Sequence, residues 1–265
     1  MVLERLISVG DALRHPWRMF IVGGIISVLC LFVSFLIFPK SVGLFTTFLI
    51  TIAMTPLMIR LITYEEVSTE KEIQSHMNRN FFQRHANILT IYAAFFAGMI
   101  LFLSIVFLLL PESTVQKLFE DQINEINLIR GSVLFSSTLE RIVFNNIGVL
   151  VLSVVLSFLF GAGAIFILAW NASILATAIG LTAQSIGGFH NLPLAVLVYF
   201  PHGSLEILAY FIGAIAGGLV SAAFARKGSR LFMPIVKDSL MLVGIAIVIL
   251  VVAGVIEATS IVISG

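Results

Sequence analysis

The sequence predicts an all-α, polytopic transmembrane helix bundle of about seven membrane segments, and three observations carry that prediction. Hydrophobic residues make up 59% of the chain and charged residues only 11%, where a soluble domain carries roughly 25% charge. Mean hydropathy is +1.10. The 265 residues hold apolar runs of the length a bilayer crossing needs, roughly 20 residues each. The formal net charge of +1 is uninformative. No basic tract interleaved with aromatics points to nucleic acid. The single cysteine, Cys30, excludes an internal disulfide and any CxxC metal or redox motif.

Residues 1–62 read as a surface helix and a two-span extension. The start does not read as a cleavable signal, because Glu4 and Asp11 interrupt it and no small-residue cleavage site follows. Leu3, Leu6, Ile7 and Leu13 share one helical face, with Arg5, Asp11 and Arg14 elsewhere, the pattern of a short helix on the membrane surface. Trp17 stands where an interfacial anchor belongs. Spans follow at about 17–38, closed by Pro39, and 42–60. Residues 63–86, with Glu65, Glu66, Glu70, Lys71 and Glu72, form a charged cytoplasmic connection that continues span two as solvated surface.

Residues 87–265 form a five-segment core. Its segments are 87–110 (closed by Pro111), 142–169, 171–187, 192–224 and 235–257. The extracytoplasmic loop 111–141 carries an amphipathic helix marked by Val115, Leu118, Phe119, Ile123 and Ile126, resting on the membrane or on the bundle. Segment 171–187 is short for a span, while 192–224 is too long and is divided by Pro201 and Gly203. The pairing predicts a discontinuous or re-entrant region around 171–203, with a helix break at Pro201 and Gly203.

Lys and Arg set the orientation. Arg5, Arg14 and Arg18, then Arg60, Lys71, Arg79 and Arg84, then Arg226, Lys227, Arg230 and Lys237 fall on one side. The other side has Lys40, Lys117, Arg130 and Arg141, the last three diluted by Glu112, Glu120, Asp121, Glu125 and Glu140. The expectation is a multi-pass protein of the cytoplasmic membrane, N-terminus inside and C-terminus outside.

Polar side chains inside the apolar segments mark a candidate site. Glu206 stands four residues after His202 in Pro201-His202-Gly203-Ser204-Leu205-Glu206, so both project from one helical face. Glu257 lies near the end of the last span, beside Thr259 and Ser260, where an interfacial position is equally natural. Asn145 and Asn146 open the fourth span and Asn171 the fifth. Ionisable groups at this depth persist where they are paired or functional. Four readings of the His202–Glu206 pair stand open: a hydrogen-bonded brace between helices, a proton or ion site, a metal site, and a docking patch for a partner helix. No cofactor is expected outright. A metal such as zinc would take His202 and Glu206, with Glu257 or His190 as a third ligand, and a hydrolytic centre is a subset of that case. The HExxH signature is absent, as is any Gly-x-Ser-x-Gly or Ser/His/Asp arrangement. Gly213-x-x-x-Gly217 and Gly161-x-Gly163 are small-residue faces suited to close packing, within the bundle or, for Gly213/Gly217, between two copies.

These residues resemble the stage II sporulation protein M family. The resemblance rests on Asn145-Asn146 at the head of a span, Gly161 and Gly163 in its second half, Asn171, Gly180, the PHGxxE phrase at Pro201–Glu206 and a final span with Glu257. It runs from about Phe82 to the C-terminus, with Arg84-His85 ahead of span three similar to archaeal and bacterial relatives outside the spore formers. The family's Asn-Gly after span four is here Asn171-Ala172, which puts a tight-turn role at that place in doubt. The resemblance implies a polytopic protein of the cytoplasmic membrane. The sporulation namesake works in engulfment beside secreted wall hydrolases that it helps to recruit, without being the hydrolase. The expected function is therefore a non-enzymatic envelope or membrane-remodelling scaffold or assembly partner, with the bilayer and envelope proteins as partners. A transporter or channel using His202 and Glu206, and an intramembrane metal-dependent hydrolase, are the alternatives.

Overall fold

The computed structural model describes residues 8–74, 81–130, 135–160, 163–225 and 232–264. Leu3, Arg5, Leu6 and Ile7 of the expected surface helix lie outside the described residues, as do Gly161, Arg79, Arg226, Lys227 and Arg230. So do the side chains of Glu66, Glu70, Glu72, Arg84 and Arg130.

Ten α-helices and one 3₁₀ turn make up the described chain, and seven of the helices are long and apolar enough to cross a membrane. In order they are α1 (Val9–Arg14), α2 (Pro16–Ile37), α3 (Val42–Gln74), α4 (Phe81–Leu109), α5 (Glu112–Leu118), α6 (Glu120–Arg130), α7 (Phe135–Phe160), α8 (Ala164–Ser185), the turn Phe189–Asn191, α9 (Leu192–Ala225) and α10 (Phe232–Ser264). The spans are α2, α3, α4, α7, α8, α9 and α10. They overrun the apolar segments at several ends, because a helix continues past the last apolar residue wherever water satisfies its backbone.

Helix α1 is capped by Ser8, whose hydroxyl accepts from the Asp11 N–H at 3.1 Å and donates to Asp11 Oδ2 at 3.0 Å. The Ser8 hydrogen bond, helped by Arg18, holds the exposed Asp11 carboxyl below the usual carboxylate range. Leu13 packs on the core of the bundle, and Trp17 is exposed with Arg18 above its ring. Helices α2 and α4 pack along one another with the backbones nearly touching. A Cβ on Gly98 would sit 1.9 Å from the Phe20 carbonyl oxygen, and one on Gly23 2.0 Å from that of Phe95. The first two spans therefore share one continuous apolar core with the rest of the bundle.

Helices α5 and α6, from the loop 111–141, rest on the bundle. Val115, Leu118, Phe119 and Ile126 are buried, and the Phe119 ring meets Phe107 of α4 edge-on at 5.2 Å. Asp121 of α6 accepts from the backbone N–H groups of Gly43 and Leu44 at 3.0 and 3.3 Å, supplying the anionic cap that the start of α3 lacks in its own sequence.

Two expectations are corrected. Helix α7 ends at Phe160 and α8 begins at Ala164, so α8 is a full span of 22 residues and Asn171 sits in its second turn. The apolar run 142–169 has no charge to mark a turn, so hydropathy reads straight across it. Helix α9 likewise runs unbroken through Pro201 and Gly203. Proline removes one N–H donor, which a long membrane helix held by its neighbours tolerates. Gly203 instead lets Leu175 of α8 come within 3.3 Å of where its Cβ would be. The discontinuity falls at Gly187 and Gly188, with φ of +118° and +87°. There the Gly188 N–H closes α8 on the Ala183 carbonyl at 2.7 Å and the Asn191 amide donates to Ile186 at 2.6 Å.

Candidate functional site: a polar junction of three helices

Small residues on α9 position the site. The Cβ that Gly217 lacks would lie 2.3 Å from the Val154 carbonyl oxygen, and that of Gly213 2.4 Å from the Leu150 side chain. This close approach of α7 and α9 occupies the Gly213/Gly217 face within one chain, where the sequence also allowed contact between two copies. One to two turns towards the α5–α6 end, the same seam brings Asn146 of α7 against Glu206 and Tyr210, neighbours four residues apart on α9.

The junction is a chain of hydrogen bonds. Asn146 Nδ2 donates to Glu206 Oε1 at 2.8 Å, and Tyr210 Oη donates to Asn146 Oδ1 at 3.0 Å. Asn145 Nδ2 reaches the same Oδ1 at 3.5 Å. From α10, the Glu257 carboxyl faces that of Glu206. Two facing carboxyl groups hydrogen-bond to each other only when one of them carries a proton, since an ionised carboxylate has only acceptors. Asn146 and Tyr210 are buried, Glu206 and Glu257 half-buried, and Asn145 exposed.

Of the expected site residues, Glu206, Glu257, Asn145 and Asn146 come together. Glu257 thereby joins the junction, its carboxyl facing Glu206 of α9. Asn171 does not: its amide donates to the Ile167 carbonyl one turn back on its own helix, at 2.8 Å. His202 is buried, with its ring 5.7 Å from that of Tyr199 and its Nδ1 without a hydrogen-bond partner. It is one turn from Glu206 yet makes no hydrogen bond to it. Among the described residues no three His, Cys, Asp or Glu side chains gather as a ligand set for a metal. Glu206, one of the two ligands expected for a metal, accepts from the Asn146 amide.

Two contributors were missed in the sequence. Tyr210 was legible as the next residue on the Glu206 face. The other is a buried pair at the opposite end of the bundle, where His85 Nδ1 and Glu65 Oε1 meet at 2.5 Å with both side chains at most 4% exposed. Glu65 opens a run of surface charges, so no local signal separates it from them.

A bundle of seven apolar helices tied by a polar junction defines a polytopic integral membrane protein. More particularly, the chain belongs to the Stage II sporulation protein M family, whose sequence model matches residues 19–260. The match takes in the first two spans as well as the part from Phe82 onward. No curated protein and no solved structure matches the chain.

Proposed function

We propose that this protein is a non-enzymatic scaffold or assembly partner in the envelope, with the Tyr210–Asn146–Glu206–Glu257 chain as its internal brace. The observation that carries this reading is that one buried amide, Asn146, uses both its donor and its acceptor to join α7 to α9, while Glu257 adds α10. Interhelical hydrogen bonds of this kind hold membrane helices in register where the hydrophobic effect between helices is lost. The asymmetry of Lys and Arg supports the cytoplasmic membrane with the N-terminus inside and the C-terminus outside. Envelope proteins are the partners this reading needs.

A proton or ion site is the second reading, favoured by the unpartnered His202 Nδ1 and the partial exposure of both carboxyl groups. Glu206→Ala and Glu206→Gln in liposomes separate the two. The scaffold reading expects the alanine variant to unfold more readily and lose assembly, with the near-isosteric glutamine variant closer to wild type. A glutamine variant that folds as wild type but abolishes a solute or proton flux seen with wild type transfers the function to the second reading. Metal analysis of the same samples tests the hydrolase alternative: stoichiometric zinc lost on His202→Ala would support it.

A further inference from the structure

We propose that His202 links the Glu206–Glu257 carboxyl pair to the aqueous phase at the α5–α6 end of the bundle, as the relay of a proton path whose outer members are Thr182 and Tyr199. The inference rests on the second reading above and names its ligand, a proton delivered by water.

His202 is only 6% exposed, and its Nδ1 has no hydrogen-bond partner. An unpaired buried polar atom calls for a reason, all the more inside a membrane helix, where no bulk water relieves it. Bracing supplies none, because the brace runs through Asn146 and Tyr210 and leaves His202 idle.

The position of His202 does supply one. Towards the end of the bundle stands Tyr199, whose Oη shares a 3.1 Å hydrogen bond with Thr182 Oγ1 in the last turn of α8. Both residues are half-buried. This is the end that carries α5 and α6, since Phe107 near the end of α4 packs on Gly180 of α8 and on Phe119. One turn deeper than His202 is Glu206, whose carboxyl faces that of Glu257. Polar groups thus recur at one-turn intervals from the bundle end to the carboxyl pair.

The flanking helices leave the path without competing charge. Helix α8 carries no ionisable residue, and α4 beyond His85 only Tyr92. Helix α7 contributes the neutral Asn145 and Asn146, with Glu140 and Arg141 nearer its start. Helix α10 contributes Glu257, and α9 itself Tyr199, Glu206 and Tyr210. The packed apolar lining includes Leu175, Ile179, Ala183 and Ala195.

The transfer balances without electron movement. A hydronium at the Tyr199 end gives its proton to one ring nitrogen of His202, and the other ring nitrogen releases a proton to a carboxylate oxygen of the pair. Crossing the helical turn between His202 and Glu206 takes a rotamer change or one bridging water.

Infrared spectroscopy of the full chain in lipid nanodiscs tests this. The C=O band of the protonated pair is assigned by its loss in Glu257→Gln, and its shift is timed after transfer into D2O. Wild type is expected to exchange at least tenfold faster than His202→Leu, with the band itself retained in that variant. Tyr199→Phe, which keeps the ring and loses the hydroxyl, is expected to slow exchange as well and covers the case of His202→Leu failing to fold. Equal exchange rates in wild type and the variants, or no protonated-carboxyl band in wild type, overturn the proposal. Equal exchange together with a wild-type proton flux in liposomes removes the relay and leaves the site. Absence of both flux and exchange removes the second reading too.

Discussion

Removing the Asn146 amide tests the junction most directly. Asn146→Ala deletes the donor to Glu206 at 2.8 Å and the acceptor of Tyr210 at 3.0 Å. Interhelical hydrogen bonds in membranes contribute about 0.6 kcal/mol on average and up to about 1.7, so two are worth roughly 1–3 kcal/mol. Tyr210 is 2% exposed, so its hydroxyl cannot turn to water, which places the loss towards the middle of that range or above it. The expected cost is about 2 kcal/mol, close to a thirtyfold shift of the unfolding equilibrium. Reversible unfolding in mixed micelles with increasing SDS measures it. Asn145→Ala is the internal control: Asn145 is exposed, holds only a 3.5 Å contact, and is expected to cost about 0.5 kcal/mol or less. A double-mutant cycle of Asn146→Ala with Glu206→Ala should show coupling of about 1 kcal/mol. An Asn146→Ala cost no greater than that of Asn145→Ala, or additivity of the cycle, refutes the brace.

Two further outcomes follow from the packing. Gly217→Val puts side-chain atoms onto the Val154 carbonyl oxygen, a backbone atom that moves only if α7 moves, and is expected to cost about 3 kcal/mol. Gly148→Val, on the same seam helix but with nothing within 4 Å of its Cβ, is expected to be neutral within about 0.5 kcal/mol, and thermal unfolding in detergent compares the two. Glu65→Ala removes the buried carboxylate that meets His85 Nδ1 and is expected to destabilise by about 2 kcal/mol, with most of the loss recovered in Glu65→Ala/His85→Leu. Failure of that rescue, in the same unfolding assay, shows that the pair is not held together by mutual need.

Depth in an apolar run was the sequence signal for the candidate site, and the structure brings three of the residues it marked together. Glu206, Glu257 and Asn146 stand out against apolar neighbours because charge and amide groups are costly there. The i, i+4 rule put His202 and Glu206 on one face but could not say which partner each side chain takes. Glu206 turns to α7 and α10, and His202 to Tyr199. Asn171 lies apart from the junction for a related reason: an amide inside a helix can bond its own backbone, as it does to Ile167, and spacing alone does not distinguish that from an interhelical bond. Pro201 looked like a break because a missing N–H is visible in sequence, while the neighbours that hold the helix together are not.

From its amino acids alone this chain is determined to be an all-α membrane protein of seven spans, because the length and polarity of each run decide whether it can lie in a bilayer, and that is a local property. Its family is likewise carried by a short phrase and a few spaced residues. What only the tertiary structure decided is which polar groups meet: Asn146 with Glu206 and Tyr210 across 60 and 64 residues, and Glu206 with Glu257. Those meetings depend on how closely Gly217 lets two backbones approach, and that distance belongs to the pair of helices and to neither one alone.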